Sequence, residues 1–175
     1  MRRILSSLLL FAALSAFADS ARAQYKNMQF GFEAGILFYG DDARVPVEDL
    51  GPLLGLRGAY KASDHWWFTS RAALSFREQT GFTDQTVFIL HLVPVDVRYY
   101  FLTDRFRPFL GLTNHFQFFL NGNAGNVFWG PGGTVGLEAK VRKDTFFGLQ
   151  TDLVYTIGDG EFPVISTTAQ LNFFF

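Results

Sequence analysis

The sequence predicts an all-β protein, an eight-stranded antiparallel up-and-down β-barrel that crosses a membrane. Three observations lead there. Bulky apolar residues alternate with small or polar ones at period two, the signature of strands with two different faces. Short polar turns recur every forty residues, at Ser63-Asp64-His65, Thr103-Asp104-Arg105 and Lys143-Asp144-Thr145. Large apolar side chains abound while charges are scarce: 18 % of the 175 residues are aromatic, with 22 Phe, and only 18 % are charged, against roughly 25 % in an ordinary soluble domain. The same composition excludes other classes. With no cysteine there is neither a disulfide framework nor a thiolate metal site. Lys+Arg of 15 against Asp+Glu of 16 leaves no basic excess for nucleic acid. A hydrophobic content of 49 % is too high for a disordered chain.

In chain order, residues 1–23 read as a cleaved signal peptide. Arg2 and Arg3 precede the apolar run from Ile4 to Leu14, and Ala21-Arg22-Ala23 forms the cleavage site. The run is too short for a membrane anchor, and Asp19 interrupts its tail. The barrel is then residues 24–175. Removing Arg2, Arg3, Asp19 and Arg22 leaves 12 basic and 15 acidic residues, net −3.

Between the short turns lie longer breaks rich in Gly, Pro, Asn and acids: Gly40 to Gly51, Glu78 to Gln85, Leu120 to Gly132 and Gly158 to Pro163. A short turn, a strand, a long loop and a strand make one hairpin unit, and four units make eight strands. In the first strand Phe30, Phe32, Ala34, Ile36 and Phe38 alternate with Gly31, Glu33 and Gly35. Over 66–77, Trp66, Phe68, Ala72, Leu74 and Phe76 oppose Thr69, Arg71, Ser75 and Arg77. Around Pro94 the phase breaks. Continued backward it sets His91 among apolar residues, so either a bulge lies near Pro94 or His91 sits at the membrane boundary. In 133–141, Val135, Leu137, Ala139 and Val141 oppose Thr134, Gly136, Glu138 and Lys140; in 145–157, Phe147, Leu149, Leu153 and Tyr155 oppose Gly148, Gln150 and Asp152.

Alternation alone does not say which phase faces in. A soluble barrel encloses its bulky residues, whereas a membrane barrel turns them to lipid. The minor phase is mostly Gly, Ser, Thr and Ala with a few charges of both signs, which suits the narrow interior of eight strands. Aromatics gather at strand ends: Tyr60, Trp66, Trp67, Tyr99, Tyr100, Phe101, Phe106, Phe146 and Phe147 beside the short turns, and Phe38, Tyr39, Phe116, Phe118, Phe128 and Trp129 beside the long loops. Such girdles are expected at both membrane interfaces. A closed sheet also pairs every backbone amide in hydrocarbon. With the signal peptide, these features place the protein in the outer membrane of a Gram-negative bacterium, the short turns and the N-terminus facing the periplasm.

Val93-Pro94-Val95-Asp96-Val97-Arg98-Tyr99-Tyr100-Phe101, followed by Arg107-Pro108-Phe109-Leu110-Gly111-Leu112, resembles the middle hairpin of the outer-membrane protein β-barrel domain family. Gly133-Thr134-Val135-Gly136-Leu137-Glu138 resembles its sixth strand. That family includes the membrane domain of outer-membrane protein A and outer-membrane protein X, and the resemblance implies the same barrel. No peptidoglycan-binding domain is expected after Phe175, so the anchoring role of longer members is not implied. The chain end also resembles the signal read by the barrel assembly machinery, with Thr168 at its polar position, Phe173 and Phe175 at its aromatic ones, and Gln170 where the signal carries Gly. This implies the assembly machinery and periplasmic chaperones as partners, besides outer-membrane lipid and lipopolysaccharide, for a monomeric protein.

The expected lumen charges are Glu33, Arg57, Lys61, Arg71, Arg77, Asp96, Arg98, Glu138, Lys140 and Asp152. Unpaired charge in a narrow lumen is costly, so they should pair across the barrel and plug it. The expected role is structural or surface interaction without catalysis, cofactor or metal. A narrow channel gated by a pair such as Glu138 with Arg98 is a second reading. A lipid-modifying enzyme is a third, since barrels of this size include deacylases with a Ser–His–acid site. Here the histidines of the mature chain are His65 in a short turn, His91, and His115 facing inward with Thr113 and Gln117; Ser75 and Ser166 are serine candidates without local pattern, and no histidine pair has ligand spacing. A soluble barrel holding an apolar ligand is the fourth. The acidic tip with Asp41, Asp42, Glu48 and Asp49 reads as a solvated loop or as a divalent-cation bridge to lipopolysaccharide phosphates, and 121–126 as a flexible turn.

Overall fold

A computed structural model describes residues 27–40, 50–78, 86–120, 127–157 and 162–174. The expected signal peptide, the acidic tip, the 121–126 turn and Phe175 lie outside the described residues. Eight strands follow in order: β1 (Met28–Tyr39), β2 (Leu50–Lys61), β3 (Trp66–Glu78), β4 (Thr86–Tyr100), β5 (Phe106–Phe119), β6 (Val127–Arg142), β7 (Thr145–Thr156) and β8 (Phe162–Phe174). Each pairs antiparallel with the next, and β8 returns to β1 to close the barrel. The seam runs from Gln29↔Phe174 to Tyr39↔Val164, so the closing pair is as complete as the others. The strands run from 12 to 16 residues, longer than the roughly 9–11 needed to cross hydrocarbon at a tilt. Their ends therefore stand in the interfacial zones.

The barrel is apolar outside and polar inside. Leu149 is 52 % exposed while its neighbour Gln150 is 1 % exposed, and the same alternation runs through β1, β2 and β3. Phe32, Ile36, Leu54, Leu112 and Val135 stand on the outer wall; Glu33, Arg57, Arg98 and Glu138 are buried within. An aqueous surface of this kind would leave a continuous apolar band in water, whereas in lipid it is the expected exterior. A soluble barrel around an apolar ligand is thereby overturned.

β4 shows why its phase broke. Its register against β3 shifts between Thr69 and Arg71, and against β5 between Leu92 and Val97. Pro94 and Val95 are both exposed in succession, and beyond them Asp96, Arg98 and Tyr100 face inward, as do His91 and Val93 before them. A bulge inserts one residue and restores the inward phase on both sides. His91 is thus an interior residue, not a boundary one. A second difference concerns 127–132, expected as loop from its Gly and Pro content. These residues belong to β6, paired with β5 from Phe118↔Val127 through Thr113↔Gly132. Pro131 points outward, where its ring meets lipid.

Gly136 has a particular role. A Cβ there would collide with the ring of Phe109 and with the Leu149 carbonyl from the two adjacent strands, so the glycine leaves the room that the Phe109 ring occupies. Gly136→Val is expected to lower the unfolding free energy in urea by about 1–3 kcal/mol, the cost of overpacking, whereas Gly58→Ala, with nothing near its added carbon, should leave it within about 0.5 kcal/mol.

Candidate functional site in the barrel lumen

The inward phase of eight strands brings side chains far apart in sequence to one axis, where they form three levels. Nearest the short turns, Trp67 from β3, Tyr100 from β4, Phe109 from β5 and Phe146 from β7 are buried together with Phe174 from β8 against them. Arg107 from β5 threads this aromatic layer. Its guanidinium carbon lies 3.9 Å from the Phe146 ring centroid, 5.0 Å from Trp67 and 5.1 Å from Tyr100. A desolvated cation over ring faces gains about 2 kcal/mol or more, so the layer is adhesive as well as dense.

Above it, acids and bases alternate in one connected network. Glu138 accepts from Arg107, from Arg57 Nη1 at 3.3 Å, from the Tyr100 hydroxyl at 3.0 Å and from Asn172 Nδ2 at 3.3 Å. Arg57 also donates to Gln170. Gln170 Nε2 donates to Gln150 Oε1 at 2.6 Å, and Gln150 Nε2 to Asp152 Oδ1 at 2.6 Å. Asp152 Oδ2 receives Arg71 Nη1 at 2.7 Å and the Ser166 hydroxyl at 3.1 Å. Arg71 Nε stands 3.3 Å from Asp96 Oδ2, which takes Arg98 Nη2 at 2.9 Å. Glu138 and Asp96 therefore each serve two guanidiniums and Asp152 one, the kind of pairing that makes buried charge tolerable. Glu33 is buried beside this network, but its Oε2 has no hydrogen-bond partner among the described residues.

Toward the long loops the lumen turns apolar. Leu37, Leu53, Ile89, Phe119, Phe128 and Val164 belong to one buried cluster. Arg77 crosses it, donating from Nη2 to the Leu37 carbonyl at 2.6 Å with its guanidinium 4.0 Å over the Tyr39 ring; the Tyr39 hydroxyl donates to Gln117 Oε1 at 2.6 Å. Between this layer and the charges lies a hydrogen-bonded row: Ser75 Oγ is 2.7 Å from His91 Nε2, and His91 Nδ1 is 3.1 Å from His115 Nε2. Nucleophile, base and a third orienting group are in line, which is the geometry of an activated serine. Ser75 is fully buried, however, and the adjoining cavity, lined by Glu33, Arg71, His91, His115 and Ser166 among others, measures about 10 Å³. That is room for about one water, so no substrate carbonyl reaches the hydroxyl.

The expected charges fall into two groups. Glu33, Arg57, Arg71, Arg77, Asp96, Arg98, Glu138 and Asp152 are all buried in the lumen. Lys140 is not: it pairs in register with Phe146 but is exposed, because β6 there runs past the start of β5 at the barrel rim. Lys61 is also at the rim, where it pairs with Asp64 at 2.6 Å; the hydrogen bond and charge of Lys61 hold the Asp64 carboxyl below its usual range. The suggested Glu138–Arg98 pair is replaced by Glu138 with Arg57 and Arg107, and Arg98 with Asp96. Trp67, Tyr100, Phe146, Tyr39 and Phe128, expected in the interface girdles, are buried inside; only every second residue at a strand end can face lipid. Arg107 went unforeseen, although continuing the inward phase of His115 and Thr113 back along β5 reaches it. The serine–histidine–histidine row was also missed, since its members come from β3, β4 and β5. Thr168 is buried inside β8 and Phe173 lies on its outward phase. Among the described residues no group of three metal-ligating side chains is gathered.

No protein-family model and no curated protein matches this chain. Solved structures do. OprG from Pseudomonas aeruginosa is 16 % identical with a TM-score of 0.61, covering 87 % of this chain and 98 % of its own. Neisserial surface protein A, from Neisseria, is 12 % identical with a TM-score of 0.63 over 86 % of this chain and 98 % of its own. Ail of Yersinia pestis, in complex with the heparin analogue sucrose octasulfate, is 12 % identical with a TM-score of 0.53 over 85 % of this chain and 99 % of its own. The chain has the fold of an eight-stranded outer-membrane β-barrel. In this outer-membrane barrel the outward apolar wall meets lipid and the closed seam leaves no free strand edge in hydrocarbon.

Proposed function

We propose that the protein is a monomeric, non-catalytic outer-membrane barrel with a plugged lumen, acting as a rigid scaffold that holds its outer loops for structural or surface-interaction roles. The observation that supports this most is the layering of the lumen. A charged network is flanked by an aromatic layer on one side and an aliphatic one on the other. An ion entering from either end must pass a layer of buried apolar side chains, crossed only by Arg107 or Arg77, before it reaches a carboxylate. Lipid and a polysaccharide are the classes of surface partner that fit, the second by analogy with the heparin analogue on Ail. Residues 1–23 serve as the export signal in this reading, and Thr168, Phe173 and Phe175 as the strand-end signal for the assembly machinery and its chaperones.

Planar-bilayer recording of the refolded protein tests the plug. The expected result is no steady conductance in wild type, with ion flux appearing in Trp67→Ala/Phe146→Ala, which removes the aromatic layer. Steady open-channel current in wild type would overturn the proposal in favour of a narrow channel.

A further inference from the structure

The strand end that carries Lys140 out at the rim also lines a pocket. Where β6 overruns the rim, the Lys140 amide donates to the Arg105 carbonyl at 2.8 Å, tying the strand end to the short turn before β5. Lys140, Val141 and Arg142 are consecutively exposed, Val141 at 61 %. Together with Thr103, Asp104, Arg105 and the edge of Phe146 they enclose a pocket of about 490 Å³. Three cations and one carboxylate line it, an excess of two positive charges, and none of the three cations takes part in a salt bridge among the described residues. Directly beside it the outer wall carries exposed Phe106 and Phe147, and the Arg105 guanidinium carbon is 5.9 Å from the Phe106 ring centroid. Unpaired cations at the foot of a lipid-facing aromatic band stand at the level of the leaflet's phosphates.

We propose that this pocket binds the phosphate of an anionic phospholipid in the periplasmic leaflet. Arg105 and Arg142 offer planar forks to phosphate oxygens, Lys140 a compact charge and Thr103 a hydroxyl. The acyl chains run up the wall over Phe106, Leu110, Val135 and Leu137, which are all exposed. Asp104 opposes the ligand and limits its affinity. The inference rests on the barrel's spanning the outer membrane with its short turns in the periplasm.

Native mass spectrometry of the refolded barrel, offered phosphatidylglycerol or phosphatidylcholine in detergent, tests it. Wild type is expected to retain one phosphatidylglycerol and to discriminate against phosphatidylcholine. Retention should weaken about fivefold for each charge lost in Arg105→Gln, Lys140→Gln and Arg142→Gln. Asp104→Asn should strengthen it, a gain that a misfolded variant cannot mimic. Equal retention of the two lipids by wild type, or no response to any of the four substitutions, overturns the site. Displacement of phosphatidylglycerol by millimolar inorganic phosphate overturns the assignment to lipid. Failure of the wild-type protein to insert into vesicles at all, seen as loss of its heat-shifted gel mobility, would instead overturn the membrane reading.

Discussion

Glu138→Gln is expected to lower the unfolding free energy of the barrel in lipid vesicles by about 3–5 kcal/mol, the usual cost of breaking a buried ion pair from one side. The carboxylate accepts from four donors, two of them the guanidiniums of Arg57 and Arg107. Glutamine keeps the shape but removes the charge, so both guanidiniums remain buried with one formal partner fewer. Arg57 has a second acceptor in Gln170 and Arg107 has its rings, so the barrel should still fold. Two comparisons fix the interpretation. Lys140→Gln, at the rim, should change stability by no more than about 0.5 kcal/mol. Glu33→Gln should cost far less than Glu138→Gln, because Glu33 Oε2 has no bonded partner to lose. Urea titrations that rank Glu33 level with Glu138 would refute the network as described.

Leu149→Arg is the second large effect, about 2–4 kcal/mol of destabilisation when the substituted position lies near the bilayer midplane. Leu149 stands on the outer wall of β7, flanked by Leu137 and Ala169 on the neighbouring strands. Its neighbour in the chain behaves oppositely. Gln150→Leu would place an apolar side chain where Gln170 and Asp152 now find a partner, with a loss of about 1–3 kcal/mol from groups left unsatisfied. The clearest readout is an environment-sensitive probe at each site. A probe at 149 should report acyl chains and one at 150 an enclosed interior; the reverse result would refute the inside-out barrel.

Which residues share a face was readable along each strand, because the side-chain period of two needs no tertiary information. That is why Glu33, Arg57, Arg71 and Asp152 were placed in the lumen from their alternation alone. Alternation loses its phase where a strand departs from regular pairing. At Pro94 a bulge resets the phase, and at Lys140 the strand outruns its partner; both depend on a neighbouring strand the local sequence does not contain. Glycine and proline at 130–132 likewise suggested a loop, yet pairing with β5 and β7 holds them in β6.

The amino-acid sequence by itself determined the number of strands, their direction and the inside-out sense of the wall, since these follow from turn spacing, alternation and the shortage of charge. Only the tertiary structure decided which acid meets which base, which strand-end aromatics close the lumen rather than face lipid, and that Ser75, His91 and His115 form one row. Those contacts run across the barrel between residues tens of positions apart. They depend on register and closure, and a one-residue slip at any bulge would reassign them all.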